Sequence, residues 1–462
     1  MDRRSTLHSA TTAAWQRVER ETTSVDERFE IDDASPILMT LEDVARVLTR
    51  NGTTEYVAWS DGERPTLAVG VRARLLVEGR TCVVRDGAGR LLAETATTDP
   101  FADAGRLLGE AIGGPFRAWG YLGYGLAGFQ HPYARTLPTE MHLIVPALTC
   151  HLAGDEIVLE GAPAVVSLAR AALDAAAPLP YRPARGAPPS AIEGGRDVYE
   201  AAVREVLEAL RAAKVEKVIL ARRVTLPGRL DALATFHASA QTQAARRFAF
   251  ALGSVVGVGL CPEILLVADE RGQVVTNPLA GTRPRGKTPE EDGRVVADLL
   301  RDAKEVSEHA LSIRLAYEEM GRVCTPETLR VIDFMRVKTY PFTHHLSSRA
   351  AGSLAPGRSS GDALREVFPG VTSTGIGKRD ALALIDRLET SPRGVYGGAM
   401  GWVDHTGAMD WGITLRSAFD YGAGVTLNAG AGIVSDSDPA YEFDESAHKM
   451  RTMGSRLVFS ED

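Results

Sequence analysis

Short apolar runs separated by tight turns rich in glycine and aspartate most restrict what this chain can fold into. Such runs lie at residues 54–60, 66–79 and 141–161, and they return at 394–434. Strands joined by tight turns pair antiparallel, because a parallel pair needs a crossover of a dozen or more residues. Helical patterns stand apart from these runs, as at residues 197–214. We therefore predict an α+β fold, in which large, mostly antiparallel β-sheets form one core flanked by helices.

One segment rich in proline and glycine suggests how the chain is divided. Its 462 residues are enough for one large domain or for two to three ordinary ones. Residues 178–197 hold five prolines and three glycines, a composition typical of a loop or linker. We therefore predict a boundary near residue 190, between an N-terminal part (1–190) and a C-terminal region (191–462).

Charge and cysteine usage exclude several classes of function. The formal net charge is -8, whereas nucleic acids and anionic membranes select basic surfaces, so we expect neither as a partner. An anionic small substrate stays compatible with this charge, because it needs only a local cationic pocket. The four cysteines form no CxxC motif, which disfavours a zinc site. No apolar run approaches a signal segment or the roughly 20 residues of a membrane span, so a cytoplasmic location is expected.

Residues 429–449 predict a strand end, a glycine-rich turn and the start of a helix. Asp438 fits the N-cap, and Pro439 fits the first helical position, where a missing N–H costs nothing. The glycines would let a ligand approach the backbone closely. Glu442 and Glu445 are three residues apart, so they share one face of this helix.

A second pair of glutamates has the same spacing. Glu305 and Glu308 lie within a helical pattern that runs from residue 289 to residue 320, with a break expected near Gly293. Two helices that each present paired carboxylates suit a hard divalent cation such as Mg²⁺. Spacing alone leaves another interpretation equally open, in which both helix faces are solvated and carry ordinary glutamate–lysine pairs.

Several single residues are ambiguous by themselves. Lys217 opens an apolar strand and Glu263 follows a proline at the start of another, and both positions are commonly solvated strand ends. His344 and His345 fit a core pair, a surface pair or ligands. Arg416 is exceptional, because a guanidinium inside an apolar run must be paired when it is buried, and an anionic ligand is one possible partner.

Two glycine motifs match nucleotide-binding patterns. Residues 281–288 satisfy GxxxxGK[ST], which makes a P-loop nucleotide-binding protein, with Lys287 on the phosphates, the alternative from a different class. Pro284 argues against it, because proline removes an amide that the phosphate cradle needs. Residues 123–128 match GxGxxG, but Pro132 follows where the dinucleotide fold needs an uninterrupted helix. We interpret this second match as chance.

An ordered series of motifs in residues 197–455 resembles the chorismate-utilising enzymes, the anthranilate, aminodeoxychorismate, isochorismate and salicylate synthases. The motifs are KVILAR (217–222), CPE (261–263), PLAGTR (278–283), DAKEVSEH (302–309), HL (345–346), TGIGK (374–378), RGVYGG (393–398), TLR (414–416) and the stretch 429–449. The resemblance implies a fold like that of anthranilate synthase component I. Residues 1–190 would then co-fold with a chorismate-binding catalytic region at 191–462.

The resemblance also implies the reaction. Members of this family that add ammonia typically carry glutamine where this chain has Lys217, whereas those that add water use lysine there as the general base. The chain looks closest to the salicylate synthases, which convert chorismate through isochorismate to salicylate and pyruvate. An isochorismate synthase is the alternative, and an ammonia-using anthranilate or aminodeoxyisochorismate synthase is disfavoured. Neither a glutamine amidotransferase subunit nor an oligomer is expected.

Site roles follow from the resemblance, position by position. Mg²⁺ would be bound by Glu308 and Glu445, with Glu305 and Glu442 in support. Lys217 would be the base and Glu263 the acid, and His345 would orient the ring during loss of pyruvate. The substrate-binding positions would be Gly281, Thr282, Tyr396, Arg416, Gly430, Gly432 and Lys449.

Overall fold

The computed structural model describes residues 25–30, 41–49, 55–62, 65–153, 156–174, 182–240, 242, 244–340 and 343–460. The strands are β1 (Val25–Glu30), β2 (Tyr56–Ser60), β3 (Thr66–Val69), β4 (Ala73–Glu78), β5 (Thr81–Asp86), β6 (Leu91–Ala96), β7 (Arg117–Leu122), β8 (Met141–Val145), β9 (Leu148–Ala153), β10 (Glu156–Gly161), β11 (Lys217–Leu226), β12 (Arg246–Leu252), β13 (Val255–Cys261), β14 (Ile264–Ala268), β15 (Gln273–Asn277), β16 (Leu279–Pro284), β17 (Arg330–Thr339), β18 (Thr343–Ser353), β19 (Gly375–Ile376), β20 (Ala399–Asp404), β21 (Met409–Ile413), β22 (Arg416–Asp420) and β23 (Val425–Ile433). The α-helices are α1 (Leu41–Thr49), α2 (Pro100–Ile112), α3 (Pro163–Asp174), α4 (Pro189–Ile192), α5 (Arg196–Arg211), α6 (Ala232–Ala238), α7 (Pro289–Leu299), α8 (Ala303–Gly321), α9 (Ser360–Val367), α10 (Val371–Thr374), α11 (Lys378–Leu388) and α12 (Pro439–Gly454).

These strands build two large antiparallel sheets within the described part of the chain. The eleven-stranded sheet has the order β1-β10-β9-β3-β2-β12-β13-β22-β23-β11-β19. The twelve-stranded sheet has the order β16-β18-β15-β14-β21-β20-β7-β8-β4-β5-β6, with β17 also paired to β18. The predicted α+β fold with large antiparallel sheets and flanking helices is confirmed. Strands from both sides of residue 190 share each sheet, as β2 does with β12 and β7 with β20. The boundary near residue 190 stays a prediction.

Aromatic side chains join the two sheets. Trp59 of the first sheet contacts Trp119 of the second, with ring centroids 6.4 Å apart, and Tyr121 lies 5.5 Å from Phe250. Two further apolar clusters lie where helices cover the sheets, one with α5 and α12 and the other with α2, α8 and α9. No helix in the described ranges is long and apolar enough to cross a membrane.

The predicted break in the long helix lies at a different place. Helix α7 ends at Leu299 and α8 begins at Ala303, so the chain is interrupted at Asp302 and not near Gly293. The Asp302 carboxylate accepts hydrogen bonds from the backbone N–H groups of Lys304 and Glu305, at 2.9 and 3.1 Å. This capping starts a new helix, whereas glycine inside α7 costs only about 1 kcal/mol.

The predicted glycine-rich turn was wrong, although the helix start after it is confirmed. Gly430 and Gly432 lie inside β23, where they pair with Ala221 and Ile219 of β11. Pairing with β11 satisfies backbone hydrogen bonds, so the strand continues to residue 433. The side chain of Asp438 accepts a hydrogen bond from the backbone N–H of Tyr441, at 2.9 Å, and caps α12 as predicted.

Neither glycine motif forms a nucleotide-binding loop. Residues 279–284 form strand β16, paired with β18, so they do not wrap a phosphate group. In the GxGxxG match, a Cβ on Gly123 or Gly125 would lie 2.2 to 2.3 Å from a carboxylate oxygen of Glu140. These two glycines therefore make room for a buried glutamate.

Candidate active site

The predicted site residues meet around one cavity of about 400 Å³. The cavity lies where β11, β16, β18 and β23 approach helices α8 and α12. Of the predicted residues, only Glu442 is absent from its wall. The predicted residues that line it are Lys217, Glu263, Gly281, Thr282, Glu305, Glu308, His345, Tyr396, Arg416, Gly430, Gly432, Glu445 and Lys449. Their roles stay predictions, while their common location follows from the fold.

Lys217 is buried at the first position of β11, with 1% of its side chain exposed. Its Nζ lies 2.7 Å from Oε1 of Glu308 on helix α8. A Cβ on Gly432 would lie 3.0 Å from that carboxylate oxygen and 3.1 Å from Cε of Lys217. The missing side chain at position 432 therefore gives this pair its room, because an added Cβ would be in tight contact with both partners. The alternative of a solvated strand end does not apply to Lys217.

Glu263 is a buried carboxyl group that keeps its proton near neutral pH. It precedes β14 and is 3% exposed. Burial raises its pKa to about 8, because ionisation in an apolar environment is costly, while Thr372 and the charge of Lys217 oppose the rise. A protonated carboxyl group in a cavity is suited to act as a general acid.

His345 is held between two hydroxyl groups. Its Nδ1 lies 2.9 Å from Oγ1 of Thr282, and its Nε2 lies 3.0 Å from Oγ1 of Thr343. Burial lowers its pKa to about 3, and the nearby charge of Arg416 acts in the same direction. The imidazole is therefore neutral and fixed in orientation, which suits a positioning role. The neighbouring His344 instead pairs with Asp292, at 2.8 Å.

Thr282 lies at a bulge in strand β16. The register between β16 and β18 shifts there. Gly281 has a backbone φ of +80°, a conformation that residues with a side chain rarely adopt. The backbone N–H of Thr282 donates to Oε2 of Glu305, at 3.0 Å. Arg283 donates to the other oxygen of Glu305, at 2.9 Å. The bulge thus binds one of the predicted carboxylates to the cavity wall.

The two glutamates of α12 have different environments. Oε1 of Glu445 lies 2.7 Å from Nζ of Lys449, which also donates to the carbonyl of Gly430 at 3.0 Å. Burial opposes ionisation of Glu445, but Lys449 lowers its pKa below the usual value. Glu442 is 1% exposed, and neither of its carboxylate oxygens has a hydrogen-bond partner within the described ranges. Burial raises the pKa of Glu442, and the charge of Glu445 adds to the rise.

These carboxylates fit Mg²⁺ by their chemistry. No three aspartate, glutamate, histidine or cysteine side chains in the described ranges gather closely enough to bind a metal by themselves. Mg²⁺, however, commonly takes one or two carboxylates and completes its octahedron with water and an anionic substrate. A buried carboxylate without a hydrogen-bond partner is energetically costly unless a cation compensates its charge. Glu442 is such a carboxylate, and the cationic group beside it, Nζ of Lys304, lies 3.9 Å away.

Arg416 is the cationic group available to an anionic ligand. Burial lowers its pKa, and no hydrogen bond or ion pair within the described ranges holds its guanidinium. The buried Tyr396 lines the same cavity. The described side chains therefore supply no partner for this guanidinium, and an anionic ligand stays its predicted partner.

Sequence reasoning missed several residues of this cavity. Arg283 follows Thr282 in the PLAGTR motif and donates to Glu305, a contact that its position in the motif does not predict. Lys304 lines the cavity 3.9 Å from Glu442, although helix spacing alone is also compatible with a solvated lysine. Thr343 carries no signal in the sequence, because its contact with His345 depends on the hydroxyl direction in β18.

The family described as chorismate binding enzyme matches residues 55–455. The chain belongs to this family. Among its relatives, anthranilate synthase component 1 of Thermus thermophilus is 40% identical over 259 residues, which cover 56% of each chain. The salicylate synthase of Mycolicibacterium paratuberculosis is 38% identical over 264 residues, which cover 57% of this chain and 58% of the relative. The chain thus spans about half the length of the relatives it matches.

Solved structures share the fold of this chorismate-binding enzyme. The menaquinone-specific isochorismate synthase of Escherichia coli has a TM-score of 0.73 at 20% identity, over 98% of this chain and 100% of that chain. Anthranilate synthase component I of Streptococcus pneumoniae has a TM-score of 0.70 at 24% identity, over 86% and 92%. At these identities the likeness concerns the fold alone, which agrees with the antiparallel architecture described above.

Proposed function

We propose that this chorismate-binding enzyme is a Mg²⁺-dependent salicylate synthase. In the first step, water attacks C2 of chorismate, the ring double bonds shift and the C4 hydroxyl leaves, which gives isochorismate. In the second step, the bond between ring carbon C3 and the enolpyruvyl oxygen breaks, and the hydrogen on C2 passes to the methylene carbon of the enolpyruvyl group. Pyruvate then leaves, and the aromatic ring that remains is salicylate. The observation that carries this proposal is the presence of the buried Lys217 and the protonated Glu263 on the wall of one cavity.

The first step needs one base and one acid. Lys217 is assigned as the base that takes a proton from the attacking water, and Glu263 as the acid that gives its proton to the departing hydroxyl group, which leaves as water. Each side chain ends the step in the opposite protonation state, so protons balance across the pair. Lysine at position 217 favours water over ammonia as the nucleophile, as the resemblance implies.

Substrate carboxylates need cationic partners in this cavity. Arg416 and Tyr396 are assigned to the enolpyruvyl carboxylate, because a guanidinium binds carboxylates in a bidentate manner. Thr282, Lys449 and the backbone at Gly281, Gly430 and Gly432 complete the substrate pocket. The neutral His345 orients the ring while pyruvate leaves.

Mg²⁺ is assigned to Glu308 and Glu445, with Glu305 and Glu442 in support. When bound, the ion neutralises the charge of the substrate's ring carboxylate, which a buried pocket otherwise tolerates poorly. The proposal also includes a cytoplasmic, monomeric enzyme without a glutamine amidotransferase subunit.

An isochorismate synthase that stops after the first step is the second candidate. It would use the same base and acid, and the fold is shared with an enzyme of that name. The similarity to anthranilate synthase component 1 favours ammonia as the nucleophile instead, which Lys217 argues against.

Product analysis distinguishes these candidates. Purified protein is incubated with chorismate and Mg²⁺, and salicylate fluorescence and pyruvate release are followed. We expect equal amounts of salicylate and pyruvate. Isochorismate without pyruvate would support the second candidate, and an aminated product formed only with ammonium would contradict both. Lys217→Ala and Glu263→Gln should each lower turnover by a factor of about 10²–10⁴, while Lys287→Ala, in the P-loop look-alike, should leave it unchanged.

A further inference from the structure

Strand β17 carries a half-buried lysine, Lys338, which does not line the catalytic cavity. Its Nζ donates a hydrogen bond to Oδ1 of Asn277, at 2.8 Å. Within the described ranges, no carboxylate forms an ion pair with this nitrogen. A charge that leaves water is costly unless an opposite charge compensates it. The place of Lys338 in the fold therefore needs a reason other than an ordinary ion pair.

Asn277 holds Lys338 close to the chain segment that carries the proposed acid. Asn277 is 2% exposed, and its Nδ2 donates to the carbonyl of Ser348, at 2.7 Å. The amide group is therefore fixed with its oxygen, the only acceptor of this side chain, toward Lys338. In the sheet, Asn277 pairs with Ile264, the residue directly after Glu263.

The other charges around Lys338 are compensated. The charged groups that face it are Asp333, Arg349, Arg246 and Glu263. Asp333 forms ion pairs with Arg349 and, at 3.2 Å, with Arg336. Arg246 pairs with Asp410, at 2.7 Å. Burial lowers the pKa of Lys338, and the charge of Arg349 acts in the same direction. Among the groups that face Lys338, the carboxyl group of Glu263 is the one without an ion pair in the described structure.

The surroundings of Glu263 contain two cationic groups. The groups that face it are Lys217 of β11, Lys338 of β17, the phenol of Tyr340, the hydroxyl of Thr372 in α10 and the backbone N–H of Leu279 in β16. Burial raises the pKa of Glu263, and the charges of Lys217 and Lys338 oppose the rise. Lys217 already pairs with Glu308, at 2.7 Å, so its charge is shared. The charge of Lys338 is available to Glu263.

We propose that Lys338 is a positioning residue of the reaction, whose positive charge, held in place by Asn277, stabilises the carboxylate that Glu263 becomes when it protonates the leaving hydroxyl group. The proton passes from Glu263 to the leaving group, and Lys338 neither gains nor loses one. A buried carboxylate needs such a charge, because water cannot stabilise it there. This inference rests on the role of Glu263 in the proposed function.

Titration of Glu263 in the substrate-free protein tests the inference. Infrared spectroscopy follows the C=O band of protonated carboxyl groups, and subtraction of the same protein with Glu263→Gln isolates the band of Glu263. Lys338→Met should raise the titration by about one pH unit, because loss of a nearby positive charge favours the protonated form. Lys338→Gln keeps an N–H donor for Asn277 and should cause the same rise. Lys338→Arg keeps the charge and should titrate like the wild type.

Arg336→Met is the matched control. It removes a positive charge two residues away on the same strand, but 73% of the Arg336 side chain is exposed, so solvent screens the charge and the titration of Glu263 should not change. With chorismate, Lys338→Met should lower kcat about threefold at neutral pH, because a weaker acid gives up its proton less readily. KM should stay unchanged, because Lys338 does not line the cavity.

Three results would overturn the inference: a wild-type titration of Glu263 in Lys338→Met, a wild-type titration in Lys338→Gln, or an equal rise in Arg336→Met. The titration uses no chorismate, so its outcome is separate from that of the proposed function. A raised titration of Glu263 with unchanged kcat would instead overturn the role of Glu263 as the acid.

Discussion

The side-chain nitrogen of Lys217 lies 2.7 Å from a carboxylate oxygen of Glu308, beside the space left by the missing side chain of Gly432. The lysine comes from strand β11, the glutamate from helix α8 and the glycine from strand β23. Three elements far apart in the chain thus determine where the proposed base lies. Only 1% of the lysine side chain is exposed, so contacts with neighbouring protein atoms, and not solvent, determine its position.

Gly432→Ala should lower chorismate turnover at least tenfold. The added Cβ would lie 3.0 Å from Oε1 of Glu308 and 3.1 Å from Cε of Lys217, so the pair must move. Overpacking of this kind typically costs about 1–3 kcal/mol of folding free energy. Gly293→Ala is the control, because its Cβ meets no atom within 4 Å and alanine favours the helix by up to about 1 kcal/mol. Unchanged turnover in Gly432→Ala would contradict the predicted role of this gap.

Turnover should fall as the pH rises above about 8, the pKa to which burial raises Glu263. The proposed acid is active only while protonated, so kcat should drop about tenfold per pH unit above that value. Glu263→Gln should lose a factor of about 10²–10⁴ at neutral pH. The measurement is a pH–rate profile at saturating chorismate, with the exposed Glu110→Gln as control. A profile that stays flat from pH 7 to about 10 would rule out Glu263 as the acid.

Arg393→Met should destabilise the protein by about 3–5 kcal/mol, because it leaves Glu389 buried without its cation. Arg393 donates to both oxygens of Glu389, at 2.5 and 2.9 Å, and to the carbonyl of Ile219, at 2.8 Å. Urea unfolding measures the change. Arg211→Met is the control, because its pair with Glu208 is exposed and is expected to contribute no more than about 1 kcal/mol.

Glu140→Gln should reduce the loss of stability at alkaline pH. Burial raises the pKa of Glu140 to about 8, whereas the pKa in the unfolded chain is the ordinary 4.5. The contribution of Glu140 to the free energy of unfolding is therefore complete below pH 4.5, and it is lost as the pH rises through 8. The loss amounts to at most about 1.4 kcal/mol per pH unit in that window. Glutamine keeps an acceptor for the N–H of Leu137, which Glu140 binds in the wild type. Urea unfolding at acidic and alkaline pH tests this; parallel curves for the two proteins would contradict it.

Removal of divalent cations with EDTA should abolish turnover, and added Mg²⁺ should restore it. Glu442→Gln should weaken Mn²⁺ binding, measured by electron paramagnetic resonance on the free protein, about 10–100-fold. The physical reason is that the two buried oxygens of Glu442 have no hydrogen-bond partner to replace a cation. Glu318→Gln, on the exposed side of α8, is the matched control and should leave the affinity unchanged. Equal affinities in the two variants would contradict a supporting role for Glu442.

Local patterns in the sequence were sufficient for several features of the fold and the site. Short apolar runs with tight turns predicted antiparallel sheets, since hydrogen bonding between neighbouring strands needs only a tight connection. Asp438 and Pro439 predicted the start of α12, because capping depends on a few adjacent residues. The spacing of Glu442 and Glu445 predicted that they share one helix face, but it did not show whether that face is buried or exposed to solvent.

Other features depended on distant parts of the chain. Gly430 and Gly432 lie in a strand because β11 pairs with them, and no local signal shows that partner. The helix break, by contrast, has a local cause that the prediction at Gly293 overlooked, because the Asp302 carboxylate caps α8 through residues two and three positions further along.

The sequence alone therefore determined the antiparallel character of the sheets, the start of α12 and the residue types of the site. Only the tertiary structure decided that Glu442 is buried without a hydrogen-bond partner, while Glu445, one turn further along, pairs with Lys449. It also placed Lys217 beside Glu308 and next to the open surface of Gly432. The physical reason is that burial and charge pairing depend on contacts between elements far apart in the chain, whereas periodicity and capping act within a few residues.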